Sequence, residues 1–176
     1  MIKVALLSLL VVLLTGAAYL YVHLGVSSPV VISEGLRGPL ILLSKNHFGA
    51  YHQIGPVIEE VERWALGRGL NCRMTFGEYL DDPAAVDQDR LRSRGGCVLT
   101  ARTSESPPEA FELIERPERR YVIARFEGSP SIGPFKVYPK VEQYMQERRL
   151  KTSDAVIETY VIHGQGVTTE YLFPLE

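Results

Sequence analysis

The chain closes with VIETYVIHGQGVTTEYLFPLE, residues 156–176: two β-branched and aromatic runs around a glycine-rich turn. That composition predicts a β-hairpin. Each run carries one glutamate near its middle, Glu158 and Glu170. A carboxylate among Val, Ile, Tyr, Leu and Phe needs water, a hydrogen-bond donor or a counter-charge. Side chains alternate along a strand, so Glu158 shares a face with Val156, Tyr160 and Ile162, and Glu170 with Thr168, Leu172 and Pro174. A three-residue loop over 163–165 sets the two glutamates directly opposite each other. A register shifted by one residue puts them on opposite faces. GQG accommodates several turns, so both registers stay open.

Working back from the hairpin, further strand candidates are PLILLSKNHF (39–48), CRMTFGEYL (72–80), GCVLTAR (96–102) and RRYVIARFEG (119–128), bounded by Gly, Pro, Asp or Asn. Two helices are predicted between them. IGPVIEEVERWALGRGL (54–70) places Val57, Ile58, Val61, Trp64 and Ala65 on one face, with Gly69 as its stop. IGPFKVYPKVEQYMQERRL (132–150) carries Val137, Val141, Tyr144 and Met145 as its stripe, and Pro139 must start or kink that helix. Both helices open on IGP. Val61-Glu62-x-Trp64 before Leu70 parallels Val141-Glu142-x-Tyr144 before Leu150. The expected fold is α+β: duplicated strand–helix–strand–strand units in a mainly antiparallel sheet with two helices, preceded by one transmembrane helix. The loops are DDPAAVDQDRLRSRGG and TSESPPEAFELIERPE, with Phe111 as an anchor in the second.

The transmembrane expectation rests on VALLSLLVVLLTGAAYLYV, residues 4–22, which carries no charge. At ~1.5 Å per residue such a helix is roughly 28 Å long, about one hydrocarbon core. Gly16, Ala17 and Ala18 could serve a signal peptidase, but the apolar run continues to Val22. The domain reading is therefore an anchor at 1–24, a tether at 25–37 and a ligand-binding domain at 38–176. Lys3 weakly favours an inside N-terminus, and the side of the membrane taken by the soluble domain stays open. Lys+Arg number 19 against Asp+Glu 21, which offers no broad electrostatic footprint for nucleic acid, and no nucleic-acid partner is expected. Cys72 and Cys97 allow one disulfide or none. His23, His47, His52 and His163 are scattered and read as ordinary polar residues. No metal, cofactor or catalytic set is expected.

Four motifs in order, FGAY with Gly49 and Tyr51, YLDDP (79–83), IETY and EYLFPL, resemble the GyrI-like small-molecule-binding domain over about residues 38–176. The hydrophobic N-terminus and KVYPKVEQYMQERRL are similar to a membrane-anchored branch of that family, which includes a testis-expressed ER-phagy receptor of animals and prokaryotic relatives. The receptor's autophagy role is not carried over. The resemblance implies a pocket in which acidic residues at the positions of Glu158 and Glu170, amid aromatics, engage lipophilic cations. The candidate ligand-binding residues are Glu158, Glu170, Tyr160, Tyr79 and Tyr51, where the tyrosines could add cation–π contacts. The plainer reading is that a strand glutamate faces water and discourages sheet-to-sheet pairing. Trp64 reads as core, Asp81-Asp82-Pro83 as a turn, and Glu78 as surface. The expected function is a membrane-anchored, non-catalytic binder of a cationic or amphipathic small molecule. The alternatives are a tethered protein-interaction adapter with an unidentified protein partner, or a hydrolase of small electrophiles using a pocket glutamate as base.

Overall fold

The computed structural model describes residues 2–164 and 166–176. Its elements run α1 (Ile2–His23), β1 (Val30–Arg37), β2 (Leu40–Phe48), α2 (Gly55–Gly67), β3 (Cys72–Tyr79), β4 (Arg92–Leu99), β5 (Phe111–Arg116), β6 (Arg119–Glu127), α3 (Gly133–Arg148), β7 (Val156–His163) and β8 (Gly166–Pro174). The strands form one antiparallel sheet in the order β1-β6-β8-β7-β3-β4-β2-β5. The predicted duplication is visible in that order. β2-β4-β3 meets β7-β8-β6 at a central β3–β7 seam, and each triplet carries its own helix.

Two expectations change. The stretch read as a tether contains β1, and the stretch read as a loop around Phe111 contains β5. These are the outermost strands, each paired on one side only. β4 also starts earlier than expected, at Arg92, and runs through Gly95 and Gly96. Glycine weakens a strand unless something must approach closely. Here α2 does so: a Cβ at Gly95 would lie 2.7 Å from the Ile58 side chain.

Both helices cover the same face of the sheet. On that face Leu43, Val61, Ala65, Cys97, Leu99 and Phe111 form the core of the first repeat. Val122, Ala124, Phe126, Val137, Val141, Tyr171 and Phe173 form that of the second. The opposite face holds Leu42, Phe76, Val98, Tyr121, Ile123, Ile157 and Leu172, all buried. Trp64 packs edge-on against Phe111 as a core residue. Cys72 and Cys97 are joined by a disulfide between β3 and β4. Pro139 lies inside α3 rather than at its start.

α1 is uncharged and predominantly apolar after Lys3, its apolar window is unburied, and it is long enough to cross a membrane, as a signal sequence can also be.

Candidate functional site

The hairpin register decides which side chains meet. Glu158 opposes Tyr171, and Thr159 opposes Glu170, with His163 paired to Gly166 across the turn. Gln165, in the loop on which the register depended, lies outside the described residues. This is the shifted register, so the two glutamates point to opposite faces. Glu158 is on the helix side. Glu170 is on the other side, one-third exposed, with its Oε1 3.7 Å from Arg37 Nη2. Glu170 is therefore not brought to the site expected for it, because a one-residue change of register moves a side chain across the sheet.

Glu158 sits on β7 at the seam between the repeats, opposite Gly77 of β3. Only 3% of it is exposed. Tyr138 of α3 donates its hydroxyl to Oε1 at 3.1 Å, and Tyr160 donates to Oε2 at 3.2 Å. The Tyr79 and Tyr160 hydroxyls are 2.9 Å apart. Since the Tyr160 proton points to Glu158, Tyr79 is the donor in that pair. Gly77 makes this arrangement possible: a Cβ there would lie 3.0 Å from the Tyr79 hydroxyl. The ring of Tyr79 therefore lies across bare backbone to reach Tyr160. Tyr51 packs edge-on against Tyr79 with ring centres 4.7 Å apart. Its hydroxyl donates to the Asp81 carbonyl at 2.7 Å and accepts from the Asp81 amide at 2.9 Å. The Asp81 carboxylate is in turn bound by the Arg92 guanidinium and amide. The Asp-Asp-Pro corner thus fixes Tyr51, which fixes Tyr79.

The electrostatics follow from burial. Desolvation pushes the Glu158 carboxyl up to about 7, although the hydrogen bonds from Tyr138 and Tyr160 oppose it. Desolvation, reinforced by the Glu158 charge, raises Tyr79, Tyr138, Tyr160 and Tyr171, so these phenols stay neutral donors at physiological pH. Among the described residues no Lys, Arg or His bridges Glu158.

The comparison within the molecule is Glu78. It was expected at the surface, yet it is 2% exposed. It lies on the far face of the sheet, bound by Arg116 at 2.7 Å and Arg94 at 3.1 Å. Among the described residues, one buried glutamate has two guanidinium partners and the other has phenols alone.

Tyr138 and Tyr171 belong to the site and were not singled out from the sequence. Tyr138 does carry a signal, since it lies three residues before Val141 and seven before Met145, on the edge of the apolar stripe. Tyr171 was hidden by the undecided register. Its hydroxyl is buried with no hydrogen-bond partner among the described residues, close to Gly133 of α3.

No family model and no curated protein sequence matches the chain. Solved structures do. The C-terminal domain of EcmrR is similar over 84% of this chain and 98% of that one, at 13% identity and a TM-score of 0.68. The EcmrR chain in a cryo-EM structure of an EcmrR–DNA complex matches over 97% of this chain at 14% identity and a TM-score of 0.67. This chain spans 65% of the length of that one. SAV2435 bound to tetraphenylphosphonium matches over 84% of this chain at 11% identity and a TM-score of 0.47. The EcmrR–DNA match corrects one expectation. The near-neutral charge does not exclude a nucleic-acid partner, since the similar chain is in complex with DNA. At these identities the likeness establishes a shared fold: this chain has the antiparallel α+β fold of the EcmrR C-terminal domain.

Proposed function

We propose that the chain is a GyrI-like binding protein for an amphipathic organic cation, held at a membrane by α1, with Glu158 as the counter-charge in its site. One observation carries this reading: Glu158 is buried and, among the described residues, phenol hydroxyls are its only side-chain hydrogen-bond partners. A buried carboxylate with no counter-ion is costly, and a ligand that brings a positive charge and apolar surface removes that cost. Tyr51, Tyr79, Tyr138 and Tyr160 provide π-faces and hydroxyls for such a ligand. The length and apolar character of α1 support the anchored part of this reading.

The test is calorimetry on the full chain in lipid nanodiscs with a panel of lipophilic cations, tetraphenylphosphonium among them. Wild type should bind at pH 8, and Glu158→Gln should bind at least about tenfold more weakly, as expected for losing a charge partner worth upwards of 1.4 kcal/mol. With a carboxyl near 7, affinity should fall from pH 8 to pH 5.5 toward that of Glu158→Gln, because protonation removes the counter-charge. Equal binding by wild type and Glu158→Gln would sink the proposal. Turnover of small electrophiles, lost in Glu158→Gln, would replace it with general-base hydrolysis.

A further inference from the structure

Three large apolar side chains of the folded domain are more than two-thirds in solvent, Phe48 at 71%, Phe135 at 82% and Ile162 at 74%, and the last two are grouped. Those two come from different elements, yet both stand at the end of the domain where α1 arrives. Ile162 follows Glu158 and Tyr160 on the helix face of β7. It pairs with Val167, whose carbonyl accepts the Gly128 amide. The next amide, Ser129, donates to Leu24, the residue that follows α1. Phe135 precedes Lys136, whose ammonium is bonded to the carbonyls of Gly25, Val26 and Ser28 at 2.5–3.3 Å. A cleft of about 320 Å³ at this junction is lined by Val22 and His23 of α1 and by His163 and Gly166 of the hairpin.

The connection is short and pinned. Residues 24–29 join α1 to β1, and Gly25 is buried against Glu127 and Gly128. A domain fastened this closely to the end of a spanning helix cannot stand clear of the bilayer. We propose that the edge bearing Phe135 and Ile162 beds into the headgroup layer of the membrane that α1 crosses. The inference rests on the reading of α1 as an anchor. Its chemistry suits the interface: Tyr19 and Tyr21 lie in the last turns of α1 as interfacial aromatics do, and exposed His23 and His163 flank the apolar pair. Lone exposed apolar residues are ordinary. Two of this size at the membrane-proximal edge, beside an unburied apolar helix, are continuous with a lipid surface. Phe135 is one helical turn from Tyr138, and Ile162 is two residues from Tyr160. The bedded edge is therefore the α1-side rim of the Glu158 site.

Spin labels on the full chain in lipid vesicles test this. Phe135→Cys and Ile162→Cys should collide freely with oxygen, which concentrates in lipid, and lose collisions with a water-soluble nickel complex. Phe48→Cys is the control. Phe48 is 71% exposed and also apolar, but it lies at the other end of the sheet, paired with Arg92. Its label should be nickel-accessible. A label at Leu10→Cys reports on the anchor itself. Lipid exposure at Leu10→Cys with nickel access at Phe135→Cys and Ile162→Cys would overturn this proposal and leave the anchor standing. Water exposure at Leu10→Cys would overturn both. Labels at 135 and 162 shielded from both reagents would show a protein partner, such as a second copy, and would also overturn it.

Discussion

Glu78 and Glu158 pose the same physical problem on opposite faces of one sheet, and the chain treats them differently. Glu78 is neutralised by Arg94 and Arg116. Glu158 receives two phenol hydroxyls and is pushed up to about 7 by desolvation. Its folded-state value is above the unfolded 4.5, so its contribution to stability is fully present below pH 4.5 and is lost as pH rises through 7. The loss is on the order of 3 kcal/mol. Two substitutions of the same kind should therefore have opposite signs at pH 8. Glu158→Gln should stabilise the ligand-free protein by about 1–3 kcal/mol in chemical denaturation, an advantage that fades toward pH 4.5. Glu78→Gln should destabilise it by about 1–3 kcal/mol, a range discounted because both arginines are partly exposed. A Glu158→Gln variant less stable than wild type at pH 8 would contradict the uncompensated-carboxylate account. Tyr138→Phe removes a bond that favours the charged form. It should raise the Glu158 value further, read by isotope-edited NMR of the side-chain carboxyl.

At the scale of elements, the site exists because α3 sits close over β8. Gly133 opens α3 directly over the Tyr171 hydroxyl, and a Cβ there would run into it. Gly133→Ala should cost about 1–3 kcal/mol through overpacking, and adding Tyr171→Phe, which deletes the obstructing oxygen, should recover part of that loss. Additive losses in the double-mutant cycle would contradict this packing. The central elements were legible in the sequence. α2 and α3 were marked by apolar stripes opening on IGP, and β2, β3, β6, β7 and β8 by β-branched and aromatic runs. The edge strands were not. VVISEGLR carries Ser, Glu and Gly, and FELIER carries three charges, because a strand paired on one side is not required to be apolar. The first half of β4, RSRG, was missed because its glycine answers to contact with Ile58, which no local pattern reveals. The site was half legible for the same kind of reason. Alternation along β7 grouped Glu158 with Tyr160, whereas the choice of Tyr171 over Glu170 as its neighbour depended on one residue of turn length.

At the scale of the molecule, two helix-bearing repeats meet at β3 and β7, and the uncompensated charge lies on that seam beneath tyrosines from both halves. The disulfide between Cys72 and Cys97 adds a prediction of orientation. A closed pair is the form that persists in an oxidising compartment, and free thiols the form kept in a reducing one. In intact cells neither cysteine should take up a maleimide label until a reductant is added. Labelling without reduction would place the domain on the reducing side. The central claim is that Glu158 is the counter-charge for a cationic ligand, and proton release on binding tests it most directly. Titrating a lipophilic cation at pH 7 in buffers of different ionisation enthalpy should show release of about half a proton per cation by wild type, since the carboxyl is near its midpoint there. Glu158→Gln should show none. Binding without proton release, or release that persists in Glu158→Gln, would contradict the account.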